Sequence, residues 1–433
     1  MKKLHIYILS ISLLISTVLV LFRVYIDQKV CAKNKAEVQI PVSNIVLPID
    51  SLIHDIDQER IISKGHALDS LFKRLQKRTG LNGTVLFAEK GRVIFKGAYG
   101  NRNFRRGESL QVQDSFQLAS VSKMFAATAI MILKEEGKLD YDDDVTNYLY
   151  SFPYEGVHIR HLLNHRSGLP RYMSLAHEYW QDKTLPLDNQ SMLSLFSKYV
   201  PKPYFKPGHG FHYCNTNYAL LANIVEEVSG VSFDEFVKEK IFRKCKMTHS
   251  FVYQMHQDTT VSAYIPYGIP GYNLGYRYPR KVRNDYLNGV MGDKNVYSSV
   301  EDLFMFDQAL KTGQLVSLEN QKEAYTPGYK KARKKDYYGF GWRIKPERDS
   351  TVYHFGWWKG FRTFFIRDLA QDKTIIMLTN TDKGVSSSWL WKILDDDSFD
   401  LAPICRLPME DNQDDNYANS SSENDSEANL GSS

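Results

Sequence analysis

The sequence predicts an α+β fold in which both ends of the body build one antiparallel sheet, flanked by helices, with a helix-rich lobe between them. Two β-rich runs around a Lys90-Gly91 turn, across residues 83–100, read as a hairpin. Far downstream come three more short β-rich runs: Thr351-Val352-Tyr353-His354, Phe361-Arg362-Thr363-Phe364-Phe365-Ile366 and Thr374-Ile375-Ile376-Met377-Leu378-Thr379. Helical patterns fill the stretch between, so residues from about 120 to 310 are assigned to the lobe. At 433 residues, 43% hydrophobic and 24% charged, the chain is long enough to bury one large core or two modest ones.

The elements follow in order. Met1-Lys2-Lys3 precedes residues 4–22, a run without Asp, Glu, Lys or Arg and just long enough to span a bilayer. Residues 1–26 are therefore expected to be a membrane anchor, or a signal segment cleaved near Val30-Cys31-Ala32; either way the body lies outside the cytoplasm, in the cell envelope or periplasm. Residues 27–63 read as a polar linker, and residues 64–400 as the folded body of the chain, its first helix lying around residues 67–75. Further helices are expected at residues 217–228, ended by Ser229-Gly230, and 299–310, ended near Gly313. The tail, residues 409–433, is rich in Asn, Ser, Asp and Glu and should be disordered.

The net charge of +5 is spread along the chain, which argues against nucleic acid as a partner. The four cysteines, Cys31, Cys214, Cys245 and Cys405, have no paired or metal-ligand spacing; buried or free thiols are expected, with one bridge among the last three permitted by an oxidising compartment. His158, His161 and His165 stand at helical spacing, but no acidic partner completes a metal face, so neither metal nor cofactor is expected. The basic run at residues 330–335 reads as a solvated loop, with retention of an anionic envelope polymer as the alternative.

The chemistry begins at Ser120-Val121-Ser122-Lys123, followed by the apolar run of residues 124–133. If that run is helical, the hydroxyl and the amine share a face, and a serine, a poor nucleophile at neutral pH, has a base within reach. Alone the spacing is weak, since an N-cap serine beside an exposed lysine has the same pattern. Tyr213-Cys214-Asn215 adds a phenol and an amide pointing the same way from an extended loop, suited to moving a proton and holding a carbonyl. His354-Phe355-Gly356 ends a β-rich run where a glycine lets a substrate lie along the strand.

With these three elements in this order, the chain resembles the serine β-lactamase and penicillin-binding-protein superfamily, in its class C β-lactamase-like branch. The resemblance covers residues 68–383, including the framing stretches 158–170 and Tyr338-Gly339-Phe340-Gly341-Trp342. It implies a β-lactamase/transpeptidase-like fold in which Ser120 attacks a carbonyl, Lys123 and Tyr213 share proton transfers, and Asn215 positions the substrate amide. His354 stands where many members have lysine, and with Gly356 it would border the substrate. The backbone N–H groups of Ser120 and Trp357 would form the oxyanion site. Two departures stand out: Cys214 replaces a common serine, its side chain pointing away from the pocket, and Trp357 and Trp358 replace small residues, narrowing the cleft and arguing against β-lactam turnover.

The expected function is an exported serine hydrolase that acylates Ser120 with a small-molecule, peptide or ester substrate. D-amino-acid peptides and cell-wall-related compounds lie within that scope; D,D-peptidase, β-lactamase and esterase activities are not separated. The rival is a non-catalytic, penicillin-binding-like sensor that holds cell-wall fragments.

Overall fold

The computed structural model describes residues 58–255, 267–275, 278–329, 337–345 and 347–395. The anchor or signal segment, most of the linker, the basic run at 330–335, the tail, Cys31 and Cys405 lie outside the described residues. No helix among the described residues is long and apolar enough to cross a membrane.

Six strands form the main sheet: β1 (Gly83–Glu89), β2 (Arg92–Tyr99), β3 (Arg343–Lys345), β4 (Arg348–Trp358), β5 (Phe361–Asp368) and β6 (Lys373–Thr379). Their order is β3-β4-β5-β6-β1-β2, antiparallel throughout. The first hairpin and the late strands thus join through β1 and β6, with Val85 opposite Met377 and Phe87 opposite Ile375.

Alternation along these strands feeds two cores. Val85, Phe87, Phe364, Ile366, Ile375 and Met377 face helices α1 (Gln58–Thr79) and α5 (Ser387–Asp395), where they meet Leu68, Leu71, Phe72, Leu390 and Ile393. Leu86, Phe365, Ile376 and Leu378 face the lobe. Burial on both sides explains why β1 and β6 read as nearly continuous apolar runs. α1 is described from Gln58, so residues 58–63 of the stretch expected to be linker are helical; Ile61 is buried there, and Lys64 forms an ion pair with Glu89 at the end of β1. Polar Gln58, Glu59 and Arg60 hid that first turn from the pattern.

The lobe is organised around α2 (Lys123–Glu135), buried continuously from Lys123 to Leu133, as expected of a helix apolar on every side. α3 (Asn215–Ser229) packs against it and ends at Gly230 in the left-handed conformation. α4 (Val300–Lys311) is capped by Ser299, whose hydroxyl accepts from the Asp302 N–H, and lies on β1 and β6. Both match the helices expected at residues 217–228 and 299–310. A three-stranded ribbon, Phe116–Gln117 with Val296–Ser298 and Phe251–Val252, leads the chain into α2.

Candidate active site

Ser120 lies on a single tight turn, Ala119–Ser122, between the short strand Phe116–Gln117 and α2. Ala119 has φ of +49°, a left-handed conformation that costs a non-glycine residue about 1–2 kcal/mol. Neighbours on both sides hold it there. The Leu118 N–H donates to Val296 O at 2.8 Å, Thr363 Oγ1 donates to Leu118 O at 2.6 Å, and the Val296 N–H donates to Ser122 Oγ at 3.0 Å. The strained turn thereby presents a partly exposed Ser120 at the mouth of a rigid helix.

Lys123 is wholly buried one turn on. Its Nζ donates to Ser120 Oγ at 3.2 Å, to Asn215 Oδ1 at 2.8 Å and to the Asp293 carbonyl at 3.0 Å. Three acceptors match the three donors of an ammonium, so no donor is left over to disturb the buried amine. The helical spacing that suggested the pair is realised, and Asn215 joins it from the first residue of α3.

The Asp293 carbonyl is a partner that sequence reasoning did not find. Asp293 and Lys294 are buried, and Lys294 Nζ contacts Asp293 Oδ1 at 3.1 Å and the Tyr172 hydroxyl at 2.5 Å, while that hydroxyl donates to Asp293 Oδ2 at 3.0 Å. Burial pulls the Lys294 amine below its usual range, opposed by Asp293. The signal available was a polar run, Gly292-Asp293-Lys294-Asn295, set between apolar Val290-Met291 and Val296.

Tyr213 lies close by but is not hydrogen-bonded to Lys123: Nζ sits over its ring, 5.1 Å from the centroid. The Tyr213 hydroxyl is buried with no hydrogen-bond partner. The loop that carries it is held by His165, whose Nδ1 accepts from the Cys214 N–H at 3.2 Å and lies 3.0 Å from Asn217 Nδ2, while the His165 carbonyl accepts from the His212 N–H at 3.0 Å. The framing stretch 158–170 therefore positions the Tyr-x-Asn loop. His158 and His161 instead bond each other's backbones in a capping box at a short helix. Cys214 directs its thiol to the Pro170 carbonyl at 3.5 Å, away from Ser120.

His354 is buried. Its Nδ1 lies 2.8 Å from the Phe355 carbonyl, which can only accept, so Nδ1 carries the proton and Nε2 accepts from the Tyr338 hydroxyl at 2.9 Å. Burial first, then the Arg343 and Lys123 charges, hold its pKa well below the usual imidazole range. A neutral imidazole sealed against Tyr338 cannot supply the charge of a lysine at that position.

Gly356 is required by close approach. A Cβ there would lie 2.3 Å from Leu118 O and 2.4 Å from Thr363 Oγ1, so β4 presses directly on the turn that holds Ser120. Trp357 follows it and pairs with Arg362, whose guanidinium lies over Phe364 of the outer core. Alternation therefore turns the Trp357 indole to the outer face and leaves only Trp358 toward the lobe, with Lys294 Nζ 5.3 Å from its ring. The expectation of two indoles beside the attacked carbonyl is corrected to one.

Among known proteins, the family model described as Beta-lactamase matches residues 68–394. The chain belongs to the Beta-lactamase family. As a member of it, the chain is similar to Penicillin-binding protein 4* of Bacillus subtilis (strain 168), 36% identical over 336 residues, which span 74% of this chain and 73% of that protein. The Beta-lactamase fold is shared with a solved penicillin-binding protein from Bacillus halodurans, at TM-score 0.64 and 27% identity, covering 76% of this chain and 97% of that one. It is also shared with a D-amino acid amidase from Ochrobactrum anthropi SV3, at TM-score 0.59 and 21% identity, covering 74% and 91%. Within the Beta-lactamase family this chain is a serine hydrolase.

Proposed function

We propose that the protein works outside the cytoplasm, hydrolysing an amide or ester through an acyl-enzyme on Ser120. The observation that carries this reading is the contact of Lys123 Nζ with Ser120 Oγ at 3.2 Å. Ser120 Oγ attacks the carbonyl and passes its proton to Lys123, once that amine is neutral. Asn215 and the Asp293 carbonyl keep the amine in place during the transfer. The oxyanion forms between the N–H groups of Ser120 and Trp357. Tyr213, its hydroxyl free of other bonds, gives its proton to the leaving group and is reprotonated from Lys123, which returns to the neutral amine, while Asn215, whose Oδ1 is committed to Lys123, offers Nδ2 to the substrate carbonyl. Water then attacks the acyl-enzyme ester, its proton passing to Lys123 and on to Ser120 Oγ as the ester C–O bond breaks, and the acid is released. His354 and Gly356 border this space from β4, His354 as a buried support and Gly356 as the point of contact with the turn.

The scope includes D-amino-acid peptides and their amides, supported by the likeness to Penicillin-binding protein 4* and by the fold shared with the D-amino acid amidase. Export rests on the apolar run at residues 4–22. A fluorophosphonate probe should label the purified protein and fail on Ser120→Ala. Lys123→Ala should slow labelling by about 10²–10⁴-fold while leaving the protein folded, with cooperative urea unfolding. Absence of serine-dependent labelling, together with no turnover across esters, D-peptides and β-lactams, sinks the enzyme reading in favour of the binding protein.

A further inference from the structure

Alternate residues of β4 turn toward the lobe: His354, Gly356 and Trp358, each about 7 Å from the next along the strand. They give the cleft a direction. The His354 ring centroid lies 6.1 Å from that of Tyr213, the group proposed above to protonate the departing atom, so this end is the leaving-group side. Gly356 stands against the turn that presents Ser120. Trp358 is then beyond the attacked carbonyl, on the side of the acyl group, where many family members have a small residue. It is a fixed wall. Lys294 Nζ and Lys359 Nζ lie 5.3 Å and 5.4 Å from its ring centroid, and each ammonium is tied down in turn, Lys294 by Asp293 and Tyr172 and Lys359 by Asp285. The adjoining turn is pressed by a neighbouring segment: a Cβ on Gly271 would lie 2.2 Å from Lys359 O, and one on Gly360 would lie 2.5 Å from Tyr272 N. Yet the indole N–H of this clamped ring is buried with no hydrogen-bond partner among the described residues. Packing alone gives no reason to leave a buried donor unanswered, and its desolvation is recovered only when an acceptor arrives.

We propose that Trp358 is a specificity-determining residue that closes the acyl side of the cleft to long chains and donates its indole N–H to an oxygen on a short acyl group, a reading that rests on the Ser120 acyl-enzyme proposed above. The size limit follows from the clamp. A ring held by two tethered lysines and a pressed turn does not swing aside as a free side chain would. The chemical class follows from the donor. An indole offers one N–H and accepts nothing, so the atom it recognises carries a lone pair, as an ether, hydroxyl or carbonyl oxygen does. The preferred substrates are therefore compact acyl groups bearing such an oxygen a few atoms from the attacked carbonyl, ahead of plain hydrocarbon chains of the same length.

The test uses three p-nitrophenyl esters with one leaving group: the methoxyacetate and the butyrate, equal in length and differing by an oxygen for a methylene, and the octanoate. Each kcat/KM is divided by the rate of alkaline hydrolysis of the same ester, which removes intrinsic reactivity. On this scale the full-length protein should favour methoxyacetate over butyrate by about tenfold, and butyrate over octanoate by about tenfold or more. Trp358→Phe keeps an aromatic wall without the donor, so the oxygen preference should fall toward one while octanoate stays excluded. Trp358→Ala removes the wall and should raise octanoate to the level of butyrate. Because the readouts are ratios, a general loss of activity in a variant does not mimic them. A wild-type methoxyacetate preference near one, a preference unchanged in Trp358→Phe, octanoate turned over by wild type as well as butyrate, or octanoate still excluded by Trp358→Ala overturns the proposal. Fluorophosphonate labelling of Ser120 without turnover of any of the three esters overturns the Trp358 proposal alone. Failure of the fluorophosphonate to label Ser120 overturns the hydrolase reading, and this proposal with it.

Discussion

At the scale of single residues, burial decides which groups carry charge. Lys123 is satisfied by three acceptors, whereas His354 and His165, both enclosed and both facing Lys123 and Arg343, have pKa values well below the usual range. The unfolded chain protonates an imidazole near pH 6.5, and the folded state resists until lower pH. The stability that neutral His354 contributes is therefore present above about pH 6.5 and lost as pH falls toward its folded-state value. His354→Gln should destabilise the protein at pH 7.5 by giving up the fit to Tyr338, and that penalty should shrink at pH 5.0, read as urea midpoints of variant and wild type. An equal penalty at both pH values would show that the imidazole is not held neutral. None of this was legible in His354 as a letter: its place after a β-rich run suggested a group bordering substrate, and only the contact with Tyr338, sixteen positions earlier, makes it a buried support.

At the scale of elements, the site depends on a strand pressed against a turn. Gly356 on β4 has Leu118 O and Thr363 Oγ1 where a methyl would stand. Gly356→Ala forces β4 away from the turn, at an overpacking cost of about 1–3 kcal/mol. Serine labelling should slow by much more than this loss of stability explains, because the N–H groups of Ser120 and Trp357, proposed above to hold the oxyanion, belong to the two parts pushed apart. Labelling at the wild-type rate would show that the spacing does not matter. The strands and helices themselves were legible, since β-rich runs marked β1, β5 and β6 and helical spacing marked α3 and α4. The helical character of residues 58–63 was not, because part of what holds that end of α1 to the sheet, the Lys64–Glu89 pair, joins positions twenty-five residues apart.

At the scale of the whole molecule, the two ends of the domain close one sheet. β1 pairs with β6 across almost the whole domain, and α1 and α5 cover the outer face. Trp389, Leu390, Ile393 and Leu394 of α5 are buried there. At about 1.5–3 kcal/mol each, their burial is on the order of the total stability of a typical domain. A chain ending after Lys383 should lose cooperative urea unfolding, bind a hydrophobic dye and lose Ser120 labelling, although α5 contributes no group to the site. A truncated chain that unfolds cooperatively and labels normally would refute this closure. The amino-acid sequence by itself determined what is local or ordered along the chain: the α+β class, the Ser-x-x-Lys pair, the Tyr-x-Asn loop and the glycine after His354. Tertiary structure decided which groups answer them. The Asp293 carbonyl that holds Lys123, the His165 ring that holds the Tyr213 loop, the sealing of His354 and the placing of Lys294 over the Trp358 ring are contacts between distant segments. A backbone carbonyl carries no letter of its own, and a contact formed only when segments pack leaves no periodicity to read.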